Sequence, residues 1–502
     1  MGTFFSEREF QQVESAENAF HSPIPTQVIS NGEFNPPPQS PKQKQVEERI
    51  KELADLHGAK RGMDRRSFLK TSSGMAAAFL AMNEVYGNVF NVSEAEAASH
   101  EASEQMAAET AGQFIFDVQT HFVHDDYSQE GFLGFIKAGS EIWGSDVDAE
   151  TVSMYNLKFE NYVREIYLNS DTSVSVLSGA PFDDSSWEFL TNDAIAEAVQ
   201  MVNSTAESTR MLGHAVVRPG QPGWMDEVDK ALEERPPASW KLYTIGDPLT
   251  AETKYPFWLD DEELIYPFYE KAVAAGINTM CIHKGLMPKD YETSWPDVWK
   301  YQTPRDLLKA AKDWPQLNFV IYHGCLRPLM DVPGEPYKEF VETGRIEWAS
   351  DLAEVPEKAG VSNVYAEMGT SFASTCIADP RFAAAVLGTW IKGLGADNVV
   401  WGTDSVLHGS PQWQIEAMRR LEIPEEMQEQ YGFAALGGPN SAVKNKIFGY
   451  NSARLYNLDL RADYPRFTED KFAQIKDEYR AKGELESLRT NTSYGYIARE
   501  TA

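Results

Sequence analysis

The chain predicts a (β/α)8 barrel, and three observations predict it. Eight short apolar runs, rich in β-branched and aromatic residues, follow one another between residues 114 and 405. Longer stretches of helical spacing, such as 260–275 and 304–314, separate them. The polar residues of these runs gather at their C-terminal ends. Alternation of strand and helix means parallel strands joined by crossover helices. Eight such units fit a closed barrel.

The runs in order are 114–122 (FIFDVQTHF), 173–178 (SVSVLS), 213–218 (GHAVVR), 240–245 (WKLYTI), 277–284 (INTMCIHK), 318–324 (NFVIYHG), 363–369 (NVYAEMG) and 398–405 (NVVWGTDS). An open doubly wound sheet is the alternative. No GxGxxG follows the first run, which counts against a dinucleotide fold. The stretch KIFGYNSARLYNL up to Leu458 reads as a helix closing a barrel domain over 111–460, and 461–502 as a charged helical tail.

The front of the chain reads differently. Residues 1–60 are expected to be a disordered, low-complexity segment. Six prolines within 22–45 stand among polar residues, with too little apolar surface to fold alone. Val46, Ile50, Leu53 and Leu56 have the spacing of a short amphipathic helix. Asp64-Arg65-Arg66-Ser67-Phe68-Leu69-Lys70, an alanine-rich run from Gly74 to Met82, and Ala95-Glu96-Ala97 then follow. Twin arginines, a mildly apolar region and a small-residue cleavage pattern resemble a twin-arginine (Tat) export signal over 61–98. The resemblance implies recognition by the Tat machinery, a mature chain from about Ala98, and a periplasmic or extracellular location with no stable membrane anchor after processing.

The 502 residues carry a formal charge of −31, which repels phosphate backbones and argues against nucleic acid as a partner. No apolar run approaches the roughly 20 residues that span a bilayer. The three cysteines, Cys281, Cys325 and Cys376, form no CxxC pair or disulfide framework. A small-molecule substrate and a homo-oligomeric state are expected.

Catalytic groups of a barrel sit where its strands end. Run 1 ends in Gln119-Thr120-His121, run 5 in His283-Lys284, run 6 in His323 and run 8 in Asp404; run 4 carries Lys241 and Tyr243, and run 7 Glu367. Three of only nine histidines close three separate apolar runs. Imidazole and carboxylate are the ligands of zinc and similar ions, and a metal lowers the pKa of bound water toward about 7.

These motifs carry a resemblance. Asp117-Val-Gln119-Thr-His121 resembles the first-strand D-x-H-x-H of the amidohydrolase superfamily. CIHKG, IYHG and WGTDS resemble its later strand-end motifs in order, and KIFGYNSARLYNL resembles the C-terminal helix of its amidohydrolase-related branch. That branch includes aminocarboxymuconate semialdehyde decarboxylase-like and resorcylate decarboxylase-like enzymes as well as hydrolases. The resemblance implies one divalent metal, zinc, held by His121, His283 and Asp404. Gln119 is a further candidate ligand where the pattern has histidine. It implies His323 as the catalytic imidazole, or a ligand to a second metal, and Asp404 as the base that activates water. Arg218 and Arg327, just after runs 3 and 6, are candidates to hold a substrate carboxylate bidentately, with Lys241 and Tyr243 beside them.

The leading expectation is a metal-dependent hydrolase of an amide, ester or lactone. The alternative is a metal-dependent, non-oxidative decarboxylase of an aromatic or unsaturated carboxylic acid. An alternative of another class is a degenerate barrel that binds a ligand without turnover.

Overall fold

The computed structural model describes residues 22–124, 157–331, 333–407 and 409–481, with 32, 33 and 35 excepted. Expectations for 1–21 and 482–502 lie outside the described residues. Eight parallel strands follow in sequence order: β1 (Phe116–Thr120), β2 (Val174–Leu177), β3 (Met211–Val216), β4 (Ser239–Tyr243), β5 (Thr279–His283), β6 (Asn318–Tyr322), β7 (Val364–Glu367) and β8 (Val399–Val400). Each overlaps one of the eight runs; β3 starts two residues and β4 one residue before its run, and the others lie inside.

The ladder closes through the chain beyond β8. Val118 N donates to Trp401 O at 3.0 Å, Asp404 N to Gln119 O at 2.9 Å and His121 N to Ser405 O at 2.6 Å. These bonds pair the first strand with the last and remove the edges an open sheet would leave. They also set Asp404 directly beside Gln119 and His121.

Period-two alternation sorts the two faces of the wall. Trp240, Leu242, Met280, Ile282, Phe319 and Ile321 pack outward into the large core shared with the helices. Cys281, Val320 and Tyr322 belong with Phe116, Val118 and Val400 to a separate inner cluster. In the register Tyr243↔His283↔Tyr322, the side chains nearest the strand ends come level across three strands.

The closing segment after Ser441 forms one helical turn (Ala442–Asn445), a π turn (Lys446–Tyr450) and a helix (Asn451–Leu455). Ile447 O accepts Trp401 N at 3.0 Å, and Asn451 Nδ2 donates to Ala396 O and Val399 O, each at 2.8 Å. The first half of the expected tail docks on the barrel. Arg210 Nε meets Asp470 Oδ2 at 2.6 Å, and Phe467 and Phe472 are buried.

The front segment departs most from its sequence reading. Pro41–Lys60 is a helix opened by a capping box between Ser40 and Gln43, with Pro41 in its first turn. Val46, Ile50, Leu53 and Ala54 are buried, while Leu56 is half exposed. The segment lacks apolar surface to fold alone, but the barrel supplies the partner. Ile24, Val28 and Phe34 join the same core as the barrel helices.

The segment resembling an export signal is also folded in. Asp64 caps the helix Arg65–Leu69 by accepting Ser67 N at 2.8 Å, and Arg65 and Arg66 stay exposed. The helix Ser72–Tyr86 is buried on nearly every side, as a helix apolar all round must be. Glu96, in the expected cleavage pattern, forms an ion pair with Arg420 at 2.8 Å, and Ala97 is fully buried.

Candidate active site

The site is built at the C-terminal ends of β1, β5, β6, β7 and β8. His121, Gln119, His283, His323, Glu367 and Asp404 are all buried. His323 and Asp404 hold left-handed backbone, with φ of 63° and 60°. Such conformations cost a non-glycine residue about 1–3 kcal/mol and concentrate at functional sites.

One half of the site is a tight triangle. His121 Nδ1 donates to Ser178 O at 2.6 Å, which turns its Nε2 toward Asp404 Oδ1 at 3.0 Å. The Gln119 amide nitrogen lies 3.1 Å from the same Asp404 oxygen and 3.5 Å from His121 Nε2. Asn31 Nδ2 reaches the other Asp404 oxygen at 2.6 Å. Cβ atoms added at Gly369 and Gly402 would lie 2.6 Å from Gln119 Oε1 and 1.8 Å from Glu367 Oε1. Only glycine at these two positions lets both side chains occupy this corner.

The other half is a wall of rings. Tyr243 stacks on His283 with centroids 4.4 Å apart, and His283 meets His323 edge-on at 4.7 Å. Lys241, fully buried, sets its Nζ 3.6 Å from the Tyr322 ring centroid, a cation–π contact.

Electrostatics follow from burial. Burial, with Asp404 and Asp117 nearby, pushes the Glu367 carboxyl well above the usual range; Glu367 Oε2 accepts His323 N at 3.0 Å. Burial also pushes Asp117 up to about 7, against hydrogen bonds from Thr403 and from the Gln119 backbone. Burial, with the Lys241 ammonium nearby, pushes the His214 imidazole, on β3, well below its usual range. It links Ser178 Oγ at 2.9 Å to the Tyr322 hydroxyl at 3.3 Å.

The structure brings His121, Gln119 and Asp404 together by side-chain contacts, and His283 with His323 and Tyr243 by ring contacts. Among the described residues, no three His, Cys, Asp or Glu side chains converge to hold a metal ion. The expected arginine clamp is engaged elsewhere. Arg327 is bidentate to Asp331, at 2.8 and 3.0 Å, and also meets Glu347 at 2.5 Å; Arg218 pairs with Glu188. Protein carboxylates thus already neutralise both guanidinium groups.

Sequence reasoning missed His214 and Asn31. His214 was legible, since it stands inside the counted run GHAVVR. Nothing in the local sequence marks Asn31.

The donor set fits a single divalent ion. Ligands bonded at about 2.1 Å lie roughly 3.0–3.4 Å apart; two edges of the triangle, 3.0 and 3.1 Å, fall in that range and the third, 3.5 Å, lies just above it. The Nδ1–carbonyl bond of His121 is the support that ligating histidines carry. Rotating the Gln119 amide by a half-turn exchanges nitrogen for oxygen at the third corner, and its Oε1 has no hydrogen-bond partner as it stands. Gln119→His is expected to strengthen Mn(II) binding by about tenfold or more, read by titration calorimetry.

A closed parallel barrel with buried imidazoles and carboxylates at its strand ends defines the class: a (β/α)8-barrel enzyme. A model of the amidohydrolase family matches residues 117–458, and the chain belongs to that family. No curated protein matches it significantly. Among solved structures it is similar to 5-carboxyvanillate decarboxylase from Sphingomonas paucimobilis (16% identity over 69% of this chain and 100% of that one, TM-score 0.43). It is also similar to 2,6-dihydroxybenzoate decarboxylase from Rhizobium (15% identity, 69% and 99%, TM-score 0.39). A third is 5-carboxyvanillate decarboxylase from Novosphingobium aromaticivorans, solved with manganese (15% identity, 70% and 99%, TM-score 0.40). At these identities the likeness concerns the fold.

The hydrolase expectation is corrected here. The three similar structures bear the names of decarboxylases, and none that of a hydrolase. Asp404, the expected water base, has both oxygens engaged, by His121 and Gln119 on one and Asn31 on the other.

Proposed function

We propose that the chain is a non-oxidative decarboxylase of an aromatic or unsaturated carboxylic acid, of the aminocarboxymuconate semialdehyde decarboxylase-like branch, working with one divalent ion. The observation that carries the reading is the condition of Asp404. Asn31 holds one of its oxygens and the other faces His121 Nε2 and the Gln119 side chain, which suits a fixed ligand and not a base that must collect a proton from water.

His121, Asp404 and the Gln119 oxygen would hold the ion. Two oxygen donors and one nitrogen favour a harder ion such as manganese over the zinc expected from sequence. Such an ion supplies a fixed positive charge that orients a substrate carboxylate.

The chain's own residues do the rest. The ring wall of Tyr243, His283 and His323 suits the flat face of an unsaturated acid, stacking at about 4.5–7 Å as aromatic pairs do. Burial excludes water, and loss of CO2 leaves a carbanion that must take up a proton at carbon. His323, at the end of β6 with its ring edge on His283, is the donor we assign. Glu367 holds the His323 backbone, and burial favours its uncharged form, which keeps charge away from the departing carboxylate.

The test is CO2 release from a panel of hydroxylated benzoates and unsaturated diacids by the Mn(II)-loaded protein. Turnover of at least one, lost in His323→Ala by about a hundredfold or more, is expected. A metal-loaded protein that evolves no CO2 from any of them would sink the reading.

A further inference from the structure

We propose that Asn31, from the N-terminal segment, is a positioning residue of the metal site that holds Asp404 by the oxygen not turned toward His121. The inference rests on reading His121, Asp404 and Gln119 as ligands of one divalent ion, and it goes beyond the residues of the barrel itself.

Asn31 lies 373 positions from Asp404 in sequence and 2.6 Å from it in the fold. Its side chain is buried, and so are Ile24, Val28 and Ser30 beside it. The segment is not loosely draped. Gln39 Nε2 donates to Thr26 O at 3.1 Å, and Thr26 Oγ1 to Glu47 Oε2 at 2.9 Å. Gln43 Nε2 reaches Ile377 O at 3.1 Å, in the helix Gly369–Ala378 that follows β7. Asn31 is thus carried on a strap fastened to the β7 side of the barrel mouth.

The physical role follows from the carboxylate. An aspartate that ligates through one oxygen rotates about its terminal bond unless the other oxygen is held. Charge-assisted hydrogen bonds to carboxylates are short and strong. Oδ1 faces the corner shared with His121 Nε2 and the Gln119 side chain, where the ion would sit, and the Asn31 amide on Oδ2 fixes the plane of the carboxylate. Partners of this kind change metal affinity by about ten- to a hundredfold when removed. A barrel without its N-terminal strap would carry the same ligand residues and lose the Asn31 bond to Asp404 Oδ2.

The test measures Mn(II) affinity of the full chain by titration calorimetry, alongside thermal melting. Asn31→Ala is compared with Val28→Ala, a buried residue of the same strap that makes no side-chain hydrogen bond. Asn31→Leu, of similar size and without a donor, stands in if the alanine variant does not fold. A ten- to hundredfold loss of Mn(II) affinity in the Asn31 variant, with Val28→Ala binding as the parent does, is the expected result. Parent-like affinity in the Asn31 variant overturns the proposal. So does an equal loss in Val28→Ala, which would make the effect one of packing, and so does a parent chain that binds no Mn(II). A parent that binds Mn(II) but releases no CO2 counts against the decarboxylase reading and leaves the Asn31 result intact.

Discussion

Asp404→Asn is expected to lower CO2 release by about a thousandfold, or roughly 4 kcal/mol of transition-state stabilisation, while the fold survives. The substitution keeps the shape and removes the charge. Asp404 is where β8's continuation meets β1, through its own backbone bond to Gln119 O at 2.9 Å, and that bond is untouched. Its side chain receives His121 and Gln119 on one oxygen and Asn31 on the other. An asparagine offers one oxygen and one NH2 to the same partners, so whichever way it turns, a donor faces a donor. The remaining oxygen is neutral and a poorer ligand for a divalent cation. Loss of bound Mn(II) is therefore expected to accompany the loss of rate, with a melting temperature within a few degrees of the parent's. Retention of a tenth of the activity with full metal content would show that Asp404 is not the ligand.

A chain cut after Ala97 is expected to lose its cooperative fold. The segment before that point contributes Phe68, Met75, Phe79, Met82 and Phe90 to the main core, each nearly or fully buried. Burial of one such side chain is worth about 1.5–3 kcal/mol, so five come to roughly 10 kcal/mol. Whole domains are stable by only about 5–15 kcal/mol. Arg420, a nearly buried guanidinium, would also lose Glu96 and keep only the longer contact to Glu416 at 3.5 Å among its ion pairs to described residues. The check is a site-specific protease site engineered at Ala97, followed by thermal melting and intact mass. Unchanged melting after complete cleavage and removal of the front piece would show that the segment is dispensable. Intact mass of the uncleaved, purified protein is expected to include residues 22–98.

The fold was legible because its signal is local and repeated. Eight apolar runs of strand length, separated by helical spacing, admit few topologies once crossovers are right-handed and parallel. The pairing of β1 with the chain after β8 was the single step that local patterns do not carry. It depends on residues nearly 290 positions apart, such as Gln119 and Asp404.

The strand-end histidines and Asp404 were legible for the same reason: a buried polar side chain closing an apolar run is costly unless it is used. Their grouping was not. His121, His283 and Asp404 stand at equivalent positions in sequence, yet the side-chain bonds gather His121 with Gln119 and Asp404, and the ring contacts gather His283 with Tyr243 and His323. The arginines after β3 and β6 are equally well placed in sequence for an anion, and only tertiary contacts reveal Glu188, Asp331 and Glu347 already occupying them.

By itself, then, the sequence determined the barrel, its strand order and the polar residues at its mouth, because periodicity and the cost of burying polar groups act over a few residues. Only the tertiary structure decided which of those groups meet, and that the proline-rich front of the chain is folded against them. That front holds too little apolar surface to fold alone, and a barrel face more than a hundred residues away supplies what it lacks. Asn31 marks the difference most clearly. Nothing about an asparagine between Ser30 and Gly32 suggests a role at a barrel mouth, and 2.6 Å to Asp404 does.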